Sequence, residues 1–304
     1  VSEAEGTNGV IRLQTSTGLE MVADVRGAAG DPAVLLFHGG GQTRHAWGGA
    51  LTALAARSWH AASFDLPGHG DSAWLPDGNY DIDAFAKAVA DVANQFVHPV
   101  LVGASLGGLS SLVAVGEGLA RDPAGLVLVD VTPRLEPAGV NRISEFMRLG
   151  VDGFDSLDDV ADAIASYVPN RTRPKNLSGL TKNVRQRADG KWVWHWDPAF
   201  FTRIGSQPED NGDAASLGEP TAGRFAPAMR LHAACRNVTV PTLLVRGGSS
   251  DVVSEAGAAE LLQLIPHAEI VDVAGAGHMV AGDRNDRFND AVIEFLERVV
   301  RRAG

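Results

Sequence analysis

Val100-Leu101-Val102-Gly103-Ala104-Ser105-Leu106-Gly107-Gly108 runs directly into Leu109-Ser110-Ser111-Leu112-Val113-Ala114-Val115, and the break between the two halves decides the architecture. The first half is a short apolar run of strand length. The second is a longer apolar run that makes sense only as a helix. Gly-x-Ser-x-Gly between them describes a sharp strand-to-helix turn with a serine at its apex. Such a turn forces the serine into a strained backbone conformation, and a side chain at 103 or 107 would collide with the neighbouring strand or helix. The turn exposes Oγ and aims the first helix amides at it, so Ser105 is a candidate nucleophile.

The rest of the chain supplies partners in a workable order. Pro241-Thr242-Leu243-Leu244-Val245-Arg246-Gly247 reads as a buried strand leading into Gly248-Ser249-Ser250-Asp251, and Ala268-Glu269-Ile270-Val271-Asp272-Val273 as another leading into Gly275-Ala276-Gly277-His278. In an open parallel sheet the loops leaving the carboxyl ends of the strands converge on one edge, so Ser105, Asp251 and His278 are expected to meet there. Asp130 also ends a strand and is the rival for the acid.

Upstream, Ala33-Val34-Leu35-Leu36-Phe37 reads as a strand followed by His38-Gly39-Gly40-Gly41, and Asp65-Leu66-Pro67-Gly68-His69-Gly70-Asp71-Ser72 follows the next strand. Together with Gly103 to Gly108, Asp251 and Gly277-His278, these motifs resemble the α/β-hydrolase superfamily, in its capped esterase-like and epoxide-hydrolase-like branch. The resemblance implies an α/β-hydrolase fold: a mostly parallel central sheet flanked by helices, with a helical cap inserted after the sixth strand. The segment around Asp251 resembles the family's acid loop, and Asp130-Val131-Thr132-Pro133 its hinge into the cap. The implied oxyanion hole consists of the Leu106 amide and that of Gly40 or Gly41. His38 is expected to brace its loop. The string lacks the Gly-Lys-Ser/Thr ending of a phosphate loop.

Strands expected at 33–37, 60–64, 99–103, 125–130, 241–246 and 268–273 alternate with helices, preceded by an antiparallel hairpin over 9–14 and 19–25. That alternation demands a mostly parallel sheet covered on both faces. Between Asp130 and Val240 it stops, which divides the chain into a core domain, 1–132 with 238–304, and a cap, 133–237. Within the cap, Val140 to Met147 and Leu157 to Tyr167 read as amphipathic helices, and Ser206 to Arg224 as a polar loop. Trp192, Trp194 and Trp196 are candidates either for a substrate pocket or for anchors of the cap.

Composition bounds the remaining classes. With 304 residues the chain can bury one large core, and a net charge of −11 argues against a nucleic-acid partner. No segment approaches the length of an apolar membrane span. Cys235 is the one cysteine, so an intrachain disulfide is precluded and no metal site is expected. Val1 to Gly6 carries no basic region followed by an apolar stretch, and the expectation is a cytoplasmic protein. The expected activity is hydrolysis of a carboxylic ester or lactone through an acyl-serine, without a cofactor. The alternatives are carbon–carbon bond hydrolysis by the same triad, weaker still cofactor-free perhydrolysis, and a non-catalytic ligand receptor. Epoxide opening and dehalogenation in this fold place an Asp at the elbow, which Ser105 argues against.

Overall fold

In the computed structural model, residues 8–168, 173, 176–200, 227–278 and 285–299 are described. Among them the strands β1 (Gly9–Gln14), β2 (Glu20–Arg26), β3 (Ala33–Phe37), β4 (His60–Phe64), β5 (Val100–Ala104), β6 (Gly125–Val129), β9 (Thr242–Gly247) and β10 (Glu269–Val273) form one sheet in the order β1-β2-β4-β3-β5-β6-β9-β10. β1 and β2 pair antiparallel with each other, β2 pairs antiparallel with β4, and every later pairing is parallel.

The sheet's central strands are near-continuous apolar runs because both faces are covered. Leu35 and Phe37 of β3, Leu101 of β5 and Leu126 and Leu128 of β6 point to one face. There they pack with helices α2 (Ile82–Ala93) and α3 (Leu106–Gly116). Val34, Leu36, Val102, Val127 and Val129 alternate onto the other face, against α1 (Gly48–Ala55) and residues such as Phe288 and Leu296 of a terminal helix over 285–299. A one-residue slip in any strand would exchange the two sets, so the register is strongly specified.

Between β3 and β4 the helical segment consists of a 3₁₀ turn, Arg44–Trp47, followed by α1. After β6 the chain leaves the sheet and forms α4 (Pro137–Arg148), α5 (Leu157–Tyr167), a 3₁₀ turn (Ser178–Lys182) and a small hairpin of β7 (Val184–Gln186) with β8 (Trp192–Trp194). The insertion is thus helical with an added hairpin, whose signal in the sequence is Asp189-Gly190, with Gly190 at φ +86°. The stretch 206–224 lies outside the described residues. Helix α6 (Ala228–Asn237) falls on the cap side of the expected boundary at 237/238. It nevertheless packs against α3, with Leu231, Ala234 and Cys235 in the same core cluster as Leu112 and Val115. The chain has therefore returned to the sheet layers by Ala228. α7 (Glu255–Leu264) follows β9, and α8 (Asn285–Val299) is the terminal helix. No helix among the described residues is long and apolar enough to cross a membrane. Burial raises the Cys235 thiol to about 12.

Candidate active site

Ser105 stands between β5 and α3 with φ +46° and ψ −113°, a conformation that only a tightly packed surround maintains. The surround is backbone. A Cβ at position 103 would lie 2.3 Å from the Gly107 carbonyl oxygen, and one at 107 would lie 2.4 Å from that of Phe37. The Gly107 amide donates to the His38 carbonyl at 3.1 Å, tying the turn to the loop after β3. Leu106 opens α3, where the first amides have no acceptor within the helix and the dipole favours developing negative charge.

Asp130 leaves β6 with φ +46° and is fully buried. His278 Nδ1 lies 2.7 Å from Asp130 Oδ2, and the imidazole is 8% exposed. Two further groups hold the carboxylate: Ser250 Oγ donates to Oδ2 at 2.6 Å and the Gly247 amide to Oδ1 at 2.9 Å. The expectation that Asp251 partners His278 is therefore corrected to Asp130. Asp251 turns outward, 39% exposed, and receives Arg142 Nη2 at 2.8 Å. The physical reason lies in the turn after β9. Ser250 Oγ accepts the amides of Val252 and Val253 at 3.1 Å each, which directs its proton at Asp130 and leaves the next side chain on the opposite side of the loop.

In the loop after β3 the amides of Gly40 and Gly41, the two expected oxyanion donors, differ in their hydrogen bonding. The Gly41 amide donates to His69 Nε2 at 3.1 Å and is thereby occupied. The Gly40 amide has no acceptor of its own among the described residues, and a Cβ at Gly40 would lie 3.9 Å from Leu106 Cβ, which brings the loop beside the helix start. His69 Nδ1 donates to the Pro67 carbonyl at 3.0 Å, so Nε2 is free to accept. His38 uses the same tautomer: Nδ1 donates to the Gly39 carbonyl at 2.8 Å and Nε2 accepts the Leu66 amide at 3.0 Å. Burial pushes His38 down to about 4, and burial together with the neighbouring His38 pushes His69 down to about 3. Both are neutral braces. Below them Asp65, fully buried, accepts the Arg44 amide at 2.6 Å, the Arg44 guanidinium and the Asp71 amide at 2.9 Å, locking the 65–72 turn.

Ser105 and His278 line one cavity of about 350 Å³. Its walls are mostly apolar, with Val140, Ile143 and Met147 of α4 and Ile164 and Tyr167 of α5 facing Leu106 and Leu109. The sequence marked both insertion helices as amphipathic but did not say what their apolar faces would meet; part of each meets this cavity. Trp194 lines it, with Nε1 donating to the Leu149 carbonyl at 2.7 Å. Trp196 stacks on Trp194 at 5.1 Å and packs over Gly41 and His69, outside the lining. Trp192 bridges to Phe154, also outside it. No group of three or more potential metal ligands occurs among the described residues.

A strained Ser at a strand-to-helix elbow, an Asp–His pair beyond the carboxyl ends of β6 and β10 and a Gly-rich loop beside the helix start place the molecule among the α/β-hydrolases. Residues 34–291 match the model of the alpha/beta hydrolase family, and the chain belongs to that family. Among its relatives, Esterase Rv0045c of Mycobacterium tuberculosis is 30% identical over 98% of this chain and 93% of its own length. A solved structure of that esterase, 29% identical, superposes with a TM-score of 0.71 over 96% of this chain and 93% of that one. The 3-hydroxybutyrate-oligomer hydrolase of Cupriavidus necator is 30% identical over 82% of this chain and 84% of its own. The structure of E-2-(acetamidomethylene)succinate hydrolase, at 23% identity, gives a TM-score of 0.76 over 95% of this chain and all of that one, a likeness of fold.

Proposed function

We propose that this hydrolase cleaves a carboxylic ester or lactone through an acyl-serine intermediate, with Ser105 as nucleophile, His278 as general base and acid, and Asp130 as the acid of the triad. The observation that carries the reading is the buried Asp130–His278 pair opening into the same cavity as the strained Ser105. Serine needs a base to become nucleophilic. An imidazole whose Nδ1 proton is held by Asp130 presents Nε2 as that base, takes the Ser105 proton during attack, and returns it to the leaving alcohol. Water then attacks the acyl-serine by the same route. The Leu106 and Gly40 amides are assigned to the oxyanion, with Gly41 given over to holding the loop on His69. The chemistry calls on no group beyond these side chains and water. The insertion serves as a cap, whose apolar wall favours an apolar acyl or alkyl portion. The name of the esterase relative supports ester cleavage over carbon–carbon cleavage.

A fluorophosphonate should label the wild-type protein at Ser105, and Ser105→Ala should lose both labelling and, by about 10³-fold or more, turnover of p-nitrophenyl esters. A folded Ser105→Ala protein with near-normal turnover overturns the mechanism.

A further inference from the structure

Asp251 sits where the resemblance expects the catalytic acid, yet its carboxylate is committed to Arg142 of α4, and what that commitment accomplishes is readable from the next contacts. Arg142 Nη2 lies 2.8 Å from both Asp251 oxygens, while its guanidinium carbon stands 5.1 Å from the centre of the Tyr167 ring on α5. Tyr167 in turn stacks on Phe146 of α4 with ring centres 4.4 Å apart and planes inclined by 20°. Tyr167 and Phe146 both line the cavity. A single chain of contacts thus runs from the loop after β9, through one guanidinium, to two rings of the substrate wall.

The docking of α4 on that loop is close enough to transmit position. The Glu136 amide donates to the Val252 carbonyl at 2.8 Å, and a Cβ at Gly139 would lie 2.3 Å from the Asp251 carbonyl oxygen, so helix and loop meet backbone to backbone. The same loop sends Gly247 and Ser250 to Asp130. It therefore holds the catalytic acid on one side and the wall of the pocket on the other. Arg142 and Asp251 are each about two-fifths exposed, a setting in which an ion pair adds little to global stability. Its effect is local: Asp251 is the one acid paired with Arg142 among the described residues, and without it the guanidinium is free to turn to water and leave the Tyr167 face.

We infer that Asp251 and Arg142 are positioning residues that set the width of the acyl pocket by fixing Tyr167 against Phe146, and so select substrates by acyl-chain size without entering the chemistry. This rests on Ser105 being the nucleophile of an esterase. The test pairs two measurements on wild type, Asp251→Asn, Arg142→Met, Arg142→Lys and the Asp251→Asn/Arg142→Met double variant. One is the ratio of kcat/KM for p-nitrophenyl octanoate and acetate; the other is the labelling rate of Ser105 by a small ethyl fluorophosphonate. The expected result is an octanoate-to-acetate ratio shifted by about three- to tenfold in each single charge-removing variant, with no further shift in the double variant, because coupled residues fail to add. Arg142→Lys keeps the ion pair but loses the planar stack and should shift the ratio as Arg142→Met does. Labelling and melting temperature should stay near wild type. A ratio within twofold of wild type in the folded single variants, or additive shifts in the double, overturns the inference. Collapse of labelling in Asp251→Asn overturns it differently, by returning Asp251 to the triad. Absence of any labelling in wild type removes the serine-hydrolase reading itself.

Discussion

Replacing Asp130 by Asn tests the assignment of the acid most directly, because the substitution changes charge and donor pattern but hardly volume. Asp130 accepts three hydrogen bonds, from His278 Nδ1 at 2.7 Å, Ser250 Oγ at 2.6 Å and the Gly247 amide at 2.9 Å. An Asn keeping the Gly247 bond through Oδ1 must present its NH₂ to Ser250 and His278. Ser250 Oγ already accepts the amides of Val252 and Val253, so one contact becomes donor against donor. His278 must then accept at Nδ1 and carry its proton on Nε2, where it can no longer remove the Ser105 proton. The wrong tautomer at a triad histidine costs about 10⁴ in kcat, or about 5.5 kcal/mol of barrier. Unsatisfied polar contacts at a buried site add a stability loss of about 1–3 kcal/mol. Turnover of p-nitrophenyl acetate and the labelling rate of Ser105 should therefore fall by about 10³- to 10⁴-fold in protein that still melts cooperatively, whereas Asp251→Asn should leave acetate turnover within about threefold. If Asp251→Asn lost the greater part of the chemical step and folded Asp130→Asn kept it, the assignment would be refuted.

Three further outcomes are expected. His38 and His69 have folded pKa values near 4 and near 3, both below the unfolded value of about 6.5, so the unfolded chain binds more protons between those limits. Their stabilisation is complete above pH 6.5 and is lost as pH falls through that window; thermal melts from pH 7 to pH 4.5 should show it, and His69→Gln should flatten part of the slope. Gly107→Ala puts a Cβ 2.4 Å from the Phe37 carbonyl oxygen and should lower stability by about 3 kcal/mol or abolish soluble protein, read by denaturant titration. Trp194→Ala should change the acyl-length profile of ester turnover and Trp192→Ala should not, since the cavity is lined by the former alone of the two; equal profiles would assign both to anchoring.

The strand-to-helix turn at Ser105 was legible because its constraint is local: two glycines at fixed spacing, an apolar strand before and a helix after leave one geometry. The strands could be read for a similar reason, since Val-Leu runs bounded by turn residues suit a sheet buried on both faces. Which carboxylate pairs with His278 was not legible by the same means. Asp130 and Asp251 end adjacent strands, and both lie in turns of suitable composition; what separates them is the direction in which each side chain leaves the backbone. That direction depends on the left-handed φ of Asp130 and on the Ser250 hydroxyl captured by two amides, both consequences of tertiary packing. Gly40 and Gly41 stayed open as alternatives for the same reason, because the acceptor that occupies the Gly41 amide is His69, 28 residues away. For the tryptophans, alternation along a strand puts 192, 194 and 196 on one face, but which of them reaches the cavity follows from where β8 crosses the 65–72 turn, marked by the bridge between His69 and Trp196.

The burial of Cys235 on the inner side of α6 has a practical consequence for labelling the insertion. Its thiol is fully enclosed and shifted to about 12, so it stays protonated and out of reach of alkylating reagents at neutral pH. A cysteine introduced at Val151, which is 60% exposed on the insertion, would then be the single reactive thiol of the chain. A fluorophore there and a fluorophosphonate-borne partner on Ser105 would form a donor–acceptor pair without any background substitution, one reporter at the elbow and the other on the turn between α4 and α5.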